Sequence, residues 1–227
     1  MIVGNQVYVI GGGGHAKVVV RTLLDLGYVI ASVFDDDPKR WGFPLLGIPI
    51  VGPIDRIRDC PPLPAVIAIG TIAVRMTLAE RLNFHWLTVV DRHAHVDPTV
   101  RLGQGTVVMR GAVIQADSSL GDHVIVNTAA SVDHDCTLGN YVHISPGVHL
   151  AGGVTVGEAT FMGIGSVAIP GVRIGTATTV GAGAAVVHDL PARVLAVGVP
   201  ARVIKSYECS PTYEESPGIS AFLEKSL

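Results

Sequence analysis

Two adjacent side chains in the stretch VDHDCTLG, His134 and Asp135, combine the groups needed to move a proton at neutral pH. An imidazole titrates near neutrality and can take a proton from an attacking group, while a neighbouring carboxylate fixes its tautomer and stabilises the imidazolium. Cys136 follows directly and is the nearest conceivable nucleophile, but its place in the pattern below marks it as core. A second chemistry-bearing stretch lies near the start of the chain. There Gly11, Gly12, Gly13, Gly14, His15 and Ala16 follow an apolar run, and Asp35, Asp36 and Asp37 come about twenty residues later, which is formally the fingerprint of a dinucleotide-binding turn. The physical basis is broader than one cofactor, because backbone N–H groups at a helix N-terminus hold any pyrophosphate, including that of a nucleotide-sugar.

These residues must be positioned by two different kinds of element. Val96 begins a repeat of period six that runs to Val186. Every sixth residue is large and apolar, Ala168 alone excepted, and the residue four positions later is mostly small or β-branched, as at Thr106, Ala112, Ser118 and Val124. Neither a 3.6-residue helix nor an alternating strand has that period; a solenoid of parallel strands does, each hexad supplying one short strand and a turn. Three hexads make a triangular coil, so features should also recur at eighteen. Gly103, Gly121, Gly139, Gly157 and Gly175 do, marking one corner where the backbone needs an unusual dihedral or close approach. Ala168 reads as a local bulge or as a place where a ligand or neighbouring copy fills space. Within its hexad, Val132 and Cys136 take the inward slots and leave His134 and Asp135 at an outward-facing turn, where polar residues are ordinarily just solvated.

The N-terminal segment reads as strand, glycine loop, helix and strand. Further strands are expected at Pro64–Gly70 and His85–Asp91, with a helix near Ile72–Asn83 between them. Only one mononucleotide-binding half precedes the repeat, so nothing remains to seat a nicotinamide. The glycines could also serve only to let a helix pack closely on a sheet. His93 and His95 read as linker residues. The expected organisation is residues 1–92 as an α/β Rossmann-like half domain, 93–205 as an all-β parallel β-helix, and 206–227 as a tail of Ser, Pro and Glu with one short helix.

Composition excludes several classes. Of 227 residues 48 % are hydrophobic but only 5 % aromatic, with 27 glycines, so the interior is built from Val, Ile, Leu and Ala, which favours short strands. A net charge of −3 without a Lys/Arg stripe gives no footprint for nucleic acid. Cys60, Cys136 and Cys209 lie far apart, suggesting neither disulfides nor a zinc site, and fit a reducing cytoplasm. His134, His143 and His149 lack tight metal-ligand spacing. The start of the chain does not read as a signal peptide, and no apolar run reads as a membrane span.

Taken together, GGGGHAKVV, FDDD, AIG, VNTAASVDHDCTLG, VHISPGVHLAGGV and VGVPARV resemble the hexapeptide-repeat nucleotide-sugar N-acetyltransferases and their sialic acid O-acetyltransferase relatives, over nearly the whole chain. The resemblance implies a left-handed coil and a cytoplasmic homotrimer of polysaccharide biosynthesis, with acetyl-CoA bound in clefts between subunits. It implies transfer of acetyl to the amine of a nucleotide-linked 4-amino-4,6-dideoxysugar by direct attack, without an acyl-enzyme or a metal. In that case His134 is the general base, Asp135 raises its basicity and Asn127 hydrogen-bonds the sugar amine. Gly13, Gly14 and His15 lie at the phosphates or sugar, Asp35 and Asp36 at the base or ribose, and Gly70 against the ligand. His143 contacts acetyl-CoA, with further backbone contacts near Ile164 and Ala182. O-acetylation of a sialic acid, a trimeric scaffold that only binds nucleotide-sugars, and an NAD-dependent oxidoreductase remain the alternatives.

Overall fold

The computed structural model describes residues 5–208; the tail expected to carry a short helix falls mostly outside them. The N-terminal unit opens with β1 (Gln6–Ile10), α1 (Gly14–Asp25) and β2 (Val29–Phe34). A short antiparallel hairpin of β3 (Pro44–Leu45) and β4 (Ile48–Pro49) follows, then β5 (Ala65–Ile67) and α2 (Ile72–Arg81). The three longer strands form a parallel sheet in the order β2-β1-β5. With β1 central and its neighbours on opposite sides, the carboxyl end of β1 is a topological switch point, the place where open α/β sheets leave a crevice for ligands.

The rest is a three-faced parallel β-helix of two-residue strands. The first face begins with β6 (Val89–Val90) and continues through Val107–Val108, Ile125–Val126, His143–Ile144, Phe161–Met162 and Thr179–Val180. The second runs from His95–Val96 to Ala185–Val186 and the third from Arg101–Leu102 to Arg173–Ile174. Up to Val186 each strand pairs with the one eighteen residues on, as Val113 does with Ser131 and Ser131 with His149. The coil therefore starts one hexad before Val96. The segment expected as a further strand of the N-terminal sheet splits: Trp86 bridges to Ala65, while β6 joins the helix. His95, expected in a linker, lies in the first strand of the second face. Ala168 is buried and keeps register with Leu150 and Val186, so no bulge forms there. Arg202–Ser206 closes the first face as an antiparallel strand against Val194–Val197, one residue past the expected end of the coil.

Two glycine-rich columns have different causes. Gly139 is not in a left-handed conformation; its column is required by close approach, since a Cβ there would lie 2.6 Å from the Glu158 backbone nitrogen of the next coil. Left-handed backbone recurs every six residues from Gly105 onward, and it is held by Asp117, His123, Ala129, Asp135 and Tyr141 as well as by glycines. Such residues each cost about 1 kcal/mol or more, tolerated because every turn is pinned by ladder bonds on both sides.

The inward slots form one apolar core from Val108 to Ala201, Cys136 included. The N-terminal core does not stop at the domain boundary: Val89, Val107 and Met109 belong to the same cluster as Val9, Val19 and Leu23. Polar bonds reinforce this seam, with Thr22 donating to Asp91 at 3.1 Å and Arg110 bridging Asp25 at 2.9 Å.

The two columns make a stability prediction. Gly139→Ala forces carbon against fixed backbone and should lose about 1–3 kcal/mol. Gly147→Ala meets nothing within 4 Å and bears only the left-handed penalty at φ 65, about 1 kcal/mol. Urea unfolding of the two variants checks the order; a milder effect at Gly139 would refute the close-approach account.

Candidate active site

The carboxyl ends of three parallel strands bring together most of the expected nucleotide residues. Ile10 ends β1 and leads into Gly11–Gly14; Phe34 ends β2 before Asp35 and Asp36; Gly70 follows β5. Gly13 caps α1 without any side-chain hydrogen bond to its first turn, which holds no acidic residue, so its backbone N–H groups remain available to an anion. A Cβ on Gly14 would meet nothing within 4 Å, whereas Gly11 and Gly12 are closed over by Ile69 and Ile50.

Asp35 is engaged internally. Its carboxylate accepts from the Gly12 amide at 2.6 Å, from the Asp37 amide at 2.8 Å and from Arg40 at 3.1 Å. It thus shapes the glycine loop and leaves little capacity for a ribose. Asp36 is exposed, and only one of its oxygens is engaged, by the Ile54 amide at 2.8 Å. Arg40 gave no signal in the sequence, yet Cβ on Gly13 would lie 3.1 Å from its Nη1, which places a half-exposed cation at the mouth of the anion-holding loop.

A second cluster sits where this unit meets the β-helix. The His143 ring is buried, 3.1 Å from the Gly70 carbonyl through Nδ1 and 3.5 Å from Asn127 Nδ2 through Nε2. The His15 ring lies 6.4 Å away, and its buried Nε2 has no hydrogen-bond partner. Beside them Arg75 is buried, its guanidinium donating only to carbonyls: Ile69, Gly70, His123 and Tyr141. Burial and then the Arg75 charge hold His15 and His123 down to about 4 and His143 to about 3, so all three are neutral at physiological pH. His123 is stacked on Tyr141 with ring centroids 5.4 Å apart.

His134 and Asp135 lie elsewhere, at the corner between the second and third faces. The His134 Nδ1–H donates to Asp135 Oδ2 at 2.7 Å, which leaves the Nε2 lone pair as the available base. That hydrogen bond, aided by the charge of Asp133, raises the pKa of His134 above its usual value. Asp135 reaches back because it holds the left-handed turn position at φ 58. The imidazole rests on Gly152 of the next coil, where a Cβ would lie 2.5 Å from Cε1 and 2.6 Å from Nε2. Gly152 was missed by motif reading, although a glycine eighteen residues beyond a histidine of interest is a usable signal. Asn127, Ile164 and Ala182 line the corner after the first face, Ile164 and Ala182 exposed and stacked through the Gly183 amide to the Ile164 carbonyl at 2.9 Å. His149 bonds Ser131 at 2.8 Å, and among the described residues no group of His, Cys, Asp and Glu could hold a metal. Nor is any helix among them long and apolar enough to cross a membrane.

A parallel β-helix of hexads carrying a His-Asp pair at an outer corner, joined to a half-Rossmann unit with an open glycine loop, defines the hexapeptide-repeat acyltransferase class. Residues 6–82 match the family described as the PglD N-terminal domain. The chain is 45 % identical to a histidine variant of perosamine N-acetyltransferase from Caulobacter crescentus, solved in complex with CoA and GDP-perosamine, with 91 % of this chain and 99 % of that chain covered and a TM-score of 0.85. It is 37 % identical to the acetyltransferase domain of PglB from Neisseria gonorrhoeae, covering 88 % of this chain and all 100 % of that domain at a TM-score of 0.83; that domain has also been solved with acetyl coenzyme A. A match to uncharacterized protein L142 of Acanthamoeba polyphaga mimivirus, 34 % identical over 103 residues, spans only 21 % of that protein. The chain belongs to the nucleotide-sugar N-acetyltransferases of the hexapeptide-repeat family, and its coil is their left-handed β-helix.

Two outcomes follow from the geometry. Gly152→Ala displaces only a side-chain end, so it should leave the fold intact and lower acetyl transfer by about 10²-fold or more by misplacing the His134 ring; thermal unfolding and turnover measured side by side check this, and an unchanged rate would refute the packing role. The buried histidines set acid stability. Each binds a proton when unfolded near pH 6.5 but resists it when folded, so stability is full above pH 6.5 and falls by a few kcal/mol, to order of magnitude, as pH drops toward 4. His123→Gln should flatten that fall by about one proton in the pH dependence of unfolding.

Proposed function

We propose that this chain transfers the acetyl group of acetyl-CoA to the amine of a 4-amino-4,6-dideoxysugar carried on a nucleoside diphosphate, as a cytoplasmic homotrimer supplying modified sugars for glycan assembly. The observation that carries the reading is the His134–Asp135 pair at 2.7 Å, exposed at a corner of the β-helix, in a chain 45 % identical along nearly its full length to an enzyme solved with CoA and an amino-sugar nucleotide.

The steps follow from the groups present. The glycine loop and Arg40 hold the diphosphate, Asp36 faces the nucleoside, and His15, Gly70 and Asn127 surround the sugar. The His134 Nε2 takes a proton from the amine as its nitrogen attacks the thioester carbonyl. Asp135 holds the other ring nitrogen and stabilises the imidazolium. Collapse of the tetrahedral adduct expels CoA thiolate, to which the imidazolium returns a proton. Amide and CoA leave, and no acyl-enzyme forms; Cys136, buried with its thiol pushed up by burial, plays no part. His143, Ile164 and Ala182 contact acetyl-CoA. The sugar-facing corner at Asn127 and the base at His134 are separated by one side of the triangle. One active site is therefore built from the nucleotide half of one copy and the His134 corner of its neighbour.

The base must be neutral to act. Since Asp135 and Asp133 raise the pKa of His134, the acid limb of kcat/KM should fall above pH 6.5, and Asp135→Asn should move it down. His134→Ala should lower kcat by about 10²–10⁴ with CoA binding retained. The assay is thiol release from acetyl-CoA with GDP-, UDP- and dTDP-linked 4-amino-4,6-dideoxysugars. Full turnover by His134→Ala, or acetylation of a sialic acid hydroxyl with every amine refused, would overturn the proposal.

A further inference from the structure

Gly70, His143, Asn127 and Thr128 form a chain of polar groups whose two ends are backbone. At one end the Gly70 carbonyl can only accept, so the His143 nitrogen 3.1 Å away, Nδ1, carries the ring proton. At the other end the Thr128 amide can only donate, and it does so to Asn127 Oδ1 at 2.8 Å, which turns Asn127 Nδ2 toward His143 Nε2 at 3.5 Å. A bare ring nitrogen and an amide N–H thus meet with matched polarity. Each of the two side chains contributes one donor and one acceptor, and no other assignment satisfies both ends. Asn127 is left with one N–H for a ligand, since its carbonyl oxygen also accepts from the Thr128 hydroxyl at 3.4 Å.

What fixes the Gly70 carbonyl is Arg75. Its Nη1 donates to Gly70 at 3.0 Å and to Ile69 at 3.2 Å, while Nε donates to His123 at 3.0 Å and Nη2 to Tyr141 at 2.7 Å, both on the β-helix. One planar fork therefore ties the loop after β5 to two successive coils. No carboxylate joins it among the described residues, so its charge is unneutralised beside the His143 ring. The groups facing that ring are Arg75 on α2, His15 on α1, the Gly70 carbonyl, Asn127 and the edge-on Phe161 ring 5.2 Å away. None is an anion that could favour a protonated imidazole.

We propose that Arg75 is a positioning residue: it sets the Gly70 carbonyl, that carbonyl sets the His143 tautomer, and the bare nitrogen of His143 aims the Asn127 amide at the acceptor sugar. The N-terminal unit would thereby control the polarity of a β-helix side chain that its own residues do not bond. Its kinetic consequence rests on the acetyl transfer proposed above; its structural content does not.

The test separates the two. Ring-nitrogen NMR of full-length protein labelled with ¹⁵N-histidine should give one signal, lost in His143→Asn, with the proton on Nδ1, a bare Nε2, and no titration between about pH 5 and 9. A proton on Nε2, a mixture of tautomers, or titration in that range overturns the proposal without reference to activity. In folded Arg75→Lys, whose single ammonium cannot span four carbonyls, the signal should become a tautomer mixture; an unchanged Nδ1–H state would overturn the role of Arg75. Kinetically, Arg75→Lys should raise the KM for the acceptor sugar by about tenfold or more while moving the KM for acetyl-CoA by less than about twofold. Equal changes in both constants would mark a merely structural residue and overturn the aiming of Asn127. Should the NMR pattern hold while no amino-sugar nucleotide is acetylated, the assigned reaction fails and the hydrogen-bond chain stands.

Discussion

Every functional position on the β-helix is subject to one constraint, that each residue lies directly over its counterpart eighteen residues away. Strand pairing holds this register from Val89 to Val186, and a one-residue slip would turn the inward column out. The constraint decides what can be placed at a corner. At two corners a ring is seated over a glycine of the adjoining coil, Gly152 beneath His134 and Gly105 beside His123, and the Tyr141 ring stacks in turn on His123. A side chain that must reach back along its own turn, as Asp135 does, needs the left-handed conformation that the turn already imposes. His134 and Asp135 are therefore positioned by backbone geometry, with little help from side-chain packing, since both remain exposed.

The junction with the N-terminal unit works by the opposite means. Removing a guanidinium from water costs several kcal/mol unless its donors are met, and here four carbonyls from both units meet them. Burial lowers Arg75 only to about 10, so it stays charged. Its charge and the dry surroundings leave His15, His123 and His143 as neutral imidazoles whose hydrogen-bond polarity is fixed by whatever backbone group each one meets. The exposed His134 has its pKa raised and the three enclosed histidines have theirs lowered, all by their immediate surroundings.

The repeat, the inward placement of Cys136 and the outward turn at His134 were legible because each rests on local period. The gathering of Gly13, His15, Asp35 and Gly70 was legible because parallel strands deliver their carboxyl ends to one edge. The glycine column at Gly103 and Gly121 was read correctly as special but not as close approach alone, since period cannot distinguish a dihedral need from a contact between coils. Asp35, read as a ligand residue, also clamps the glycine loop, which the sequence does not show because nothing local reveals the Gly12 amide and Arg40 converging on it. Arg75 gave no signal at all: a single arginine in a helix is ordinarily solvated, and its four partners come from segments up to 66 residues away.

The separation of the two halves of the site bears on how water is kept from the thioester. The side chains of His134 and Asp135 are 62 % and 66 % exposed in one chain. A base so open to solvent would activate water about as readily as an amine, and acetyl-CoA held there would hydrolyse. Specific transfer needs the acceptor fixed against the imidazole while water is excluded. On the proposed mechanism the surface that fixes the acceptor is the crevice of the N-terminal unit, and in the same chain it lies around a different corner, sealed to the first face by the shared core of Val89, Val107 and Met109. That seal prevents the N-terminal unit from swinging to its own His134. On the proposed mechanism, only the crevice of another copy can close over the base, so assembly itself becomes the device that selects an amine over water.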